Sequence, residues 1–259
     1  MLQAFDDGRL FGARVGSRPA WAIALHGWRR THVDFDATFA AAPAVAAIAL
    51  DLPGFGATPE PADAMGGAGY AAAVLPVLAA EAAERGGPLV VLGHSFGGRV
   101  AAHLAAEHPD LVAALVLTGV PLFRAAGTTA PKPKAGYRAA RWLNKRGVLS
   151  DARMESQRQK HGSADYAAAT GIMRAVNVIA VNEEYRDQLA AVRCPVELVW
   201  GDDDTAAPLA VAKEAASGLR AQGVDVALTI LPGAGHLTPM TAPAALAEAL
   251  MRHAPAPRT

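Results

Sequence analysis

The residues able to do chemistry gather around one serine. Gly93-His94-Ser95-Phe96-Gly97-Gly98 follows a short apolar run, Leu89–Leu92, and leads into an Ala-rich helical pattern from Arg99. A buried strand that turns into a helix through Gly-x-Ser-x-Gly holds its serine in a strained backbone conformation at the head of the helix. Glycine is required at 93 and 97, because a Cβ at either position would collide with the neighbouring strand or helix. A five-residue pattern alone arises by chance in many chains; the strand before it and the helix after it give it weight. A serine hydroxyl is a poor nucleophile until a base takes its proton, so a base, an acid and an oxyanion loop must lie elsewhere.

Eight histidines compete for the role of base. His103 and His108 belong to the helix after Ser95, His161 to a long segment in mid-chain, and His253 to the C-terminal end. His236 differs, since it follows the last apolar strand in Leu231-Pro232-Gly233-Ala234-Gly235-His236 and precedes a helix. From a strand's carboxyl end it can reach over the sheet to Ser95; the plainer alternative is a surface-loop histidine. A base needs a carboxylate to hold its tautomer. The strand 195–200 ends in Gly201-Asp202-Asp203-Asp204. Asp204, fourth in a Gly-x-x-Asp-x-x-x-Pro turn from Gly201 to Pro208, is the expected partner, with Asp203 in reserve and Asp202 and Asp203 otherwise solvated. The strand before the mid-chain segment ends in Thr118-Gly119-Val120 and carries no acid. An oxyanion needs two N–H donors aimed at the developing charge. Phe96, next to the serine, and Trp28, in the loop His26-Gly27-Trp28 after strand 21–25, are placed to supply them. The Trp28 indole reads as a partly buried aromatic, as a wall of an acyl pocket, or as both. Further candidate substrate contacts are Arg29, Arg30, His94, Trp142 and Met173, where the two arginines either point to solvent or meet an anionic substrate. No metal ligands are assigned, and no cofactor is called for.

These residues need a scaffold. Leu2–Val15 reads as a hairpin turning at Asp6-Asp7-Gly8. Apolar strands follow at Trp21–Leu25, Val45–Leu50, Pro88–Leu92, Leu111–Leu117, Pro195–Trp200 and Val224–Leu231. Helical patterns cover Phe35–Ala42, Tyr70–Arg85, Phe96–His108 and Pro239–His253. Unalternating strands interleaved with helices predict a mostly parallel sheet of about eight strands, covered on both faces. The rhythm breaks once, over residues 121–193, which is too long for a simple crossover. A helical cap inserted before the strand at 195–200 is expected there, over a core of residues 1–120 and 194–259. Ligands in open parallel sheets sit at the strands' carboxyl ends, where such an insertion would lie. Pro131-Lys132-Pro133-Lys134 reads as the hinge of this cap, and Met173, Val176, Val178 and Ile179 as its packing residues.

Bulk composition narrows the classes. With 259 residues and 52% hydrophobic content, one large domain with a sizeable core is expected. The net charge of zero gives no call for nucleic acid. A single cysteine, Cys194, excludes an intramolecular disulfide and reads as a small core residue. No stretch reads as a signal peptide or a membrane span, so a cytoplasmic location is the default expectation.

In chain order, His26-Gly27, the Asp51-Leu52-Pro53-Gly54-Phe55-Gly56 turn, the Gly93–Gly98 elbow, the Gly201–Pro208 turn and Gly235-His236 together resemble the α/β-hydrolase superfamily over nearly the whole chain. The resemblance is nearest to the small capped serine esterase, haloperoxidase-like and C–C hydrolase branch. It implies an α/β-hydrolase fold with Ser95 as nucleophile, His236 as base, Asp204 as its partner, and Phe96 and Trp28 as oxyanion donors. Asp51 and the glycines after it are structural in such proteins. One departure stands out: the family's first loop usually carries another glycine soon after His-Gly, where this chain has Trp28-Arg29-Arg30-Thr31. The expected activity is hydrolysis of a small or medium carboxylic ester through an acyl-enzyme. C–C bond hydrolysis, cofactor-free perhydrolysis and acyl transfer use the same triad, and a non-catalytic ligand-binding receptor keeps the same fold. A serine nucleophile disfavours the aspartate-based chemistries, dehalogenation and epoxide opening. The partner is a small-molecule ester, and the chain acts as a monomer or homodimer.

Charge is uneven in one place. Ten Lys and Arg fall within Arg124–Lys160 (124, 132, 134, 138, 141, 145, 146, 153, 158 and 160), opposed only by Asp151 and Glu155. The segment reads as a solvated lid surface, as a funnel for anionic esters, or as a weak membrane-surface contact using Trp142, Leu143, Val148 and Leu149.

Overall fold

The computed structural model describes residues 1–124, 135–150, 152–156 and 164–256. The expected hinge at Pro131–Lys134, together with Asp151, Arg158, Lys160 and His161, lies outside the described residues.

The chain opens with the antiparallel hairpin β1 (Leu2–Phe5) and β2 (Leu10–Val15), turning through Asp6, Asp7 and Gly8 in left-handed backbone. β3 (Ala22–Leu25), α1 (Asp36–Ala40), β4 (Ala47–Asp51), α2 (Gly67–Arg85), β5 (Leu89–His94), α3 (Phe96–Glu107) and β6 (Val112–Thr118) follow. Five helices then come in sequence among the described residues: α4 (Ala135–Lys145), α5 (152–156), α6 (Ala164–Ala168), α7 (Gly171–Ala180) and α8 (Arg186–Ala191). β7 (Val196–Gly201), α9 (Leu209–Ala221), β8 (Val226–Leu231), α10 (Thr238–Thr241) and α11 (Pro243–Met251) complete the order.

All eight strands join one sheet, ordered β1-β2-β4-β3-β5-β6-β7-β8. From β4 to β8 every pair is parallel, while β2 runs antiparallel to both β1 and β4. The pattern of burial explains this choice. Every residue of β3, β4, β5 and β7 is buried, as a strand covered on both faces must be. One face packs Leu25, Leu50, Val91, Leu117 and Leu198 against α2, α3, α8 and α9; the other packs Ala24, Ala49, Leu92 and Val116 against Phe35, Phe39, Leu246 and Leu250. Each fully buried leucine contributes about 1.5–3 kcal/mol.

Two expectations are revised. A parallel β7–β8 pair requires a crossover, and α9 supplies it where no helix was expected. Among the described residues of 121–193, Met173, Val176, Ala180, Tyr185, Leu189 and Val192 join the same apolar core as the sheet. Val178 is exposed on the outer side of α7, not a packing residue. No helix among the described residues is long and apolar enough to cross a membrane.

Candidate active site

Ser95 is the pivot between β5 and α3. Its backbone sits at φ 50°, ψ −113°, outside the regions L residues populate, at a cost of about 1–3 kcal/mol. Surrounding bonds enforce it: the Ser95 N–H donates to Thr118 O at 3.0 Å, and the Ser95 carbonyl accepts from Gly98 N–H at 3.1 Å. A Cβ at Gly97 would run into the Leu25 carbonyl, and one at Gly93 into Gly98 Cα. The elbow can therefore press against β3 only with glycine at both places.

His236, in the loop after β8, meets the serine from across the sheet edge. Its Nε2 lies 3.0 Å from Ser95 Oγ and its Nδ1 lies 2.9 Å from Asp204 Oδ2. A carboxylate can only accept, so Nδ1 carries the proton and Nε2 is free to receive the one from Ser95. The Asp204 side chain is wholly buried, and its Oδ1 accepts the N–H groups of Ala206 and Ala207 at 2.9 and 2.8 Å. Burial pushes this carboxyl up, but the hydrogen bonds from His236 and the two backbone N–H groups outweigh it and hold the group below its ordinary value. Asp203 is exposed, so the reserve candidate has no place in the cluster. Asp202 is exposed too, yet its Oδ1 accepts Gly233 N–H at 2.7 Å and so ties the acid-bearing loop to the histidine loop.

Phe96 and Trp28 both line the cavity that holds Ser95 and His236. Neither backbone N–H donates to any protein acceptor among the described residues. The Trp28 ring stands edge-on to Phe55 and Phe96, with centroids 5.0 and 5.4 Å away. The cavity has a volume of about 550 Å³, with largely apolar walls that include Phe123, Pro208 and Val211. The helical segment contributes Asp165, Asn177, Ala180, Val181 and Glu183 to it.

The other expected substrate contacts lie elsewhere. Arg30 is held by Asp34, four residues on, through bonds of 2.7 and 2.6 Å. Arg29 is exposed, with Nη1 3.7 Å from Asp165 Oδ1. Met173 is buried against Gly54 in the core. Trp142 is half-exposed on α4, with the Arg146 guanidinium 3.9 Å from its ring centroid. His94 is buried behind the site, where its Nε2 donates to the His236 carbonyl at 2.9 Å. None of the five lines the cavity. Asp51 receives His32 N–H, His32 Nδ1–H and Ala57 N–H at 2.7, 2.8 and 2.9 Å, which ties the loop after β4 to the one after β3.

Residues not expected from sequence also belong here. Gly119, at φ +58°, lets the chain after β6 pass the acid–base pair: a Cβ there would lie 3.1 Å from His236 Nδ1 and 3.2 Å from Asp204 Oδ2. Arg99 and Asn177 line the cavity as well; no periodicity signals them, because each is a polar residue on the buried face of its helix. Among the described residues no group of three His, Cys, Asp or Glu is placed to hold a metal ion. Burial pushes the Cys194 thiol up to about 11.

Comparison with known proteins places this geometry. The chain is 77% identical to lipase LipV of Mycobacterium tuberculosis over 31 residues, 12% of each chain. It is 39% identical to a pimeloyl-[acyl-carrier protein] methyl ester esterase of Neisseria meningitidis over 97 residues, 36% of this chain and 34% of that one. These alignments therefore span no more than about a third of the relatives' lengths. Among solved structures, a thermophilic esterase from Thermogutta terrifontis superposes with a TM-score of 0.67 at 19% identity, over 96% of this chain and 94% of that one, which is a likeness of fold. The model of the alpha/beta hydrolase family matches residues 22–249. A match of that extent, on a sheet of this order and an elbow of this shape, makes the chain a member of the alpha/beta hydrolase family.

Proposed function

We propose that the chain is a serine hydrolase that cleaves a small or medium carboxylic ester through an acyl-enzyme. The observation carrying this reading is the bridge made by His236, 3.0 Å from Ser95 Oγ and 2.9 Å from Asp204 Oδ2. Ser95 Oγ attacks the ester carbonyl carbon and its proton passes to His236 Nε2. The Phe96 and Trp28 N–H groups stabilise the oxyanion. Collapse of the tetrahedral intermediate breaks the C–O bond, and the departing alcohol takes the proton from His236. Water, deprotonated by His236, then attacks the acyl carbon and frees Ser95. Asp204 keeps the imidazole in the productive tautomer and stabilises its cation. A cavity of about 550 Å³ suits a small or medium substrate, and the helical segment contributing Asp165, Asn177 and Glu183 acts as its cap.

The test is intact-mass analysis after treatment with a fluorophosphonate. One adduct is expected on Ser95, absent in Ser95→Ala and formed about 10²-fold or more slower in His236→Ala. A folded protein that takes no adduct would instead be a ligand-binding member of the fold.

A further inference from the structure

Arg99 stands one helical turn from Ser95 on α3, about 6 Å along the helix face. It is 9% exposed, yet among the described residues no carboxylate pairs with it. Its Nε donates to Pro121 O at 3.1 Å and its Nη1 to Ala180 O, while Nη2 has no partner among the described residues. The Tyr185 ring covers one side, with its centroid 5.6 Å from Cζ. A buried guanidinium without a direct ion pair is costly; burial pushes its pKa down, and the charge of nearby Glu183 offsets this only in part.

The other charged groups of the cavity wall are already engaged. Glu183 accepts Gly67 N–H and the Tyr185 hydroxyl, Arg124 faces Glu184 at 3.5 Å, and Asp165 faces Arg29. One more polar group is open. Asn177 is 5% exposed, lines the same cavity, and its side-chain amide makes no hydrogen bond among the described residues. It lies three residues before Ala180 on α7, hence on the helix face that Arg99 touches. A free guanidinium edge and a free amide, in a cavity whose other charged groups are already engaged, are the donors a planar oxyanion requires.

We propose that Arg99 and Asn177 form the receptor for a carboxylate on the acyl part of the substrate, so that the enzyme's ester is a half-ester of a short dicarboxylic acid. The inference rests on the hydrolase reading above. The carboxylate takes hydrogen bonds from Arg99 Nη2 and Asn177 Nδ2 while the ester carbonyl lies at Ser95.

The experiment compares methyl half-esters of succinate, glutarate and adipate with their neutral ω-amides, of nearly the same shape, by pH-stat. The best half-ester is expected to exceed its amide in kcat/KM by about tenfold or more, the range of a charge-assisted hydrogen bond. Arg99→Gln and Asn177→Ala each shrink that ratio, mainly through KM, and Arg99→Lys restores part of it to the arginine site. Asn177→Ala removes no hydrogen bond of the fold, so it remains informative where Arg99→Gln is poorly folded. Equal turnover of half-ester and amide, or variants that lower both substrates alike, overturns the proposal. Calorimetric binding of glutarate to Ser95→Ala, weakened about tenfold or more by Asn177→Ala, reads the receptor without turnover. Glutarate binding without ester hydrolysis or Ser95 labelling would sink the hydrolase reading and leave the receptor standing; hydrolysis without anion preference or glutarate binding would do the reverse.

Discussion

Lowering the pH from 7 to 5 should cost this fold about 4 kcal/mol through two imidazoles held neutral beneath the site. His26 and His94 are 0% and 1% exposed, and burial pushes both from 6.5 down to about 4. The hydrogen bonds agree. His26 Nε2 accepts Leu52 N–H at 3.0 Å while Nδ1 donates to Gly27 O at 2.7 Å, so a second proton would break the first bond. His94 donates from Nε2, and its Nδ1 is buried with no partner, so a proton there would be an unmatched charge. The folded pKa is depressed, so the unfolded chain binds protons first. Stability is complete above 6.5 and is lost as the pH falls from 6.5 toward 4. At pH 5 the two-state linkage gives about 2 kcal/mol for each histidine. Asp204, Glu81 and Glu197 are also depressed, but from 3.8 and 4.5, so their losses fall mostly below this window. Urea unfolding followed by tryptophan fluorescence at both pH values should show the midpoint falling by about 1 M or more. His94→Gln keeps an N–H donor for the His236 carbonyl and cannot titrate. It should be less stable at both pH values, yet its pH 7 to 5 loss should be about half that of the parent. A parent loss under about 1 kcal/mol, or an unchanged loss in both His94→Gln and His26→Gln, would refute the reasoning.

Other substitutions separate the parts of the site. Asp204→Asn keeps the bonds from Ala206 and Ala207 to Oδ1 but not the tautomer control, so kcat should fall about 10³–10⁴-fold with the fold intact by circular dichroism; a loss under about tenfold would remove Asp204 from the mechanism. Gly97→Ala drives a Cβ into the Leu25 carbonyl and should destabilise the protein by about 3 kcal/mol or more in urea; near-wild-type stability would mean that the elbow has room. Trp142→Ala should change the turnover of a short ester by less than about twofold, since the ring lies outside the cavity. Raising salt from 0.15 to 1 M shortens the Debye length from about 8 to about 3 Å. Anion preference seated on Arg99 should survive that change, whereas its collapse would place the preference on the exposed cations Arg138, Arg141, Lys145 and Arg146.

The parts legible in sequence were those whose cause is local. Leu89–His94 turning at Ser95, and Val196–Gly201 ending in Asp204, carry strand, turn and reactive residue within a dozen positions. What stayed hidden depends on contacts far along the chain. α2 begins at Gly67, not Tyr70, because Glu183, 116 residues away, accepts the Gly67 N–H and caps the helix. Arg30 reads as a free cation until Asp34 is seen folded back on it. Arg99 and Asn177 look like chance polar residues in largely apolar helices. Their chemistry exists only because α7 lies against α3 and leaves each with unmet donors at a shared cavity.

Precision at the site comes mostly from backbone bonds between neighbouring loops. A Gly-rich segment such as Gly233–Gly235 loses much conformational freedom on ordering, about 1–2 kcal/mol per residue, so a histidine on it would wander if nothing held it. Here Asp203 N–H donates to Ala234 O at 3.1 Å, Asp202 accepts Gly233 N–H, and His94 Nε2–H donates to the His236 carbonyl. The acid loop is anchored in turn by Trp200, whose buried Nε1 donates to Ala207 O at 2.7 Å. Ser95 is fixed from β6 through Thr118 O. Ser95 and His236 are thus each held from a strand other than their own, which lets one strained residue and one Gly-rich loop sit 3.0 Å apart. The helical segment makes none of these bonds. It adds Asp165, Asn177, Ala180, Val181 and Glu183 to the cavity wall, and there the Asn177 amide comes to the same cavity as Arg99 of α3.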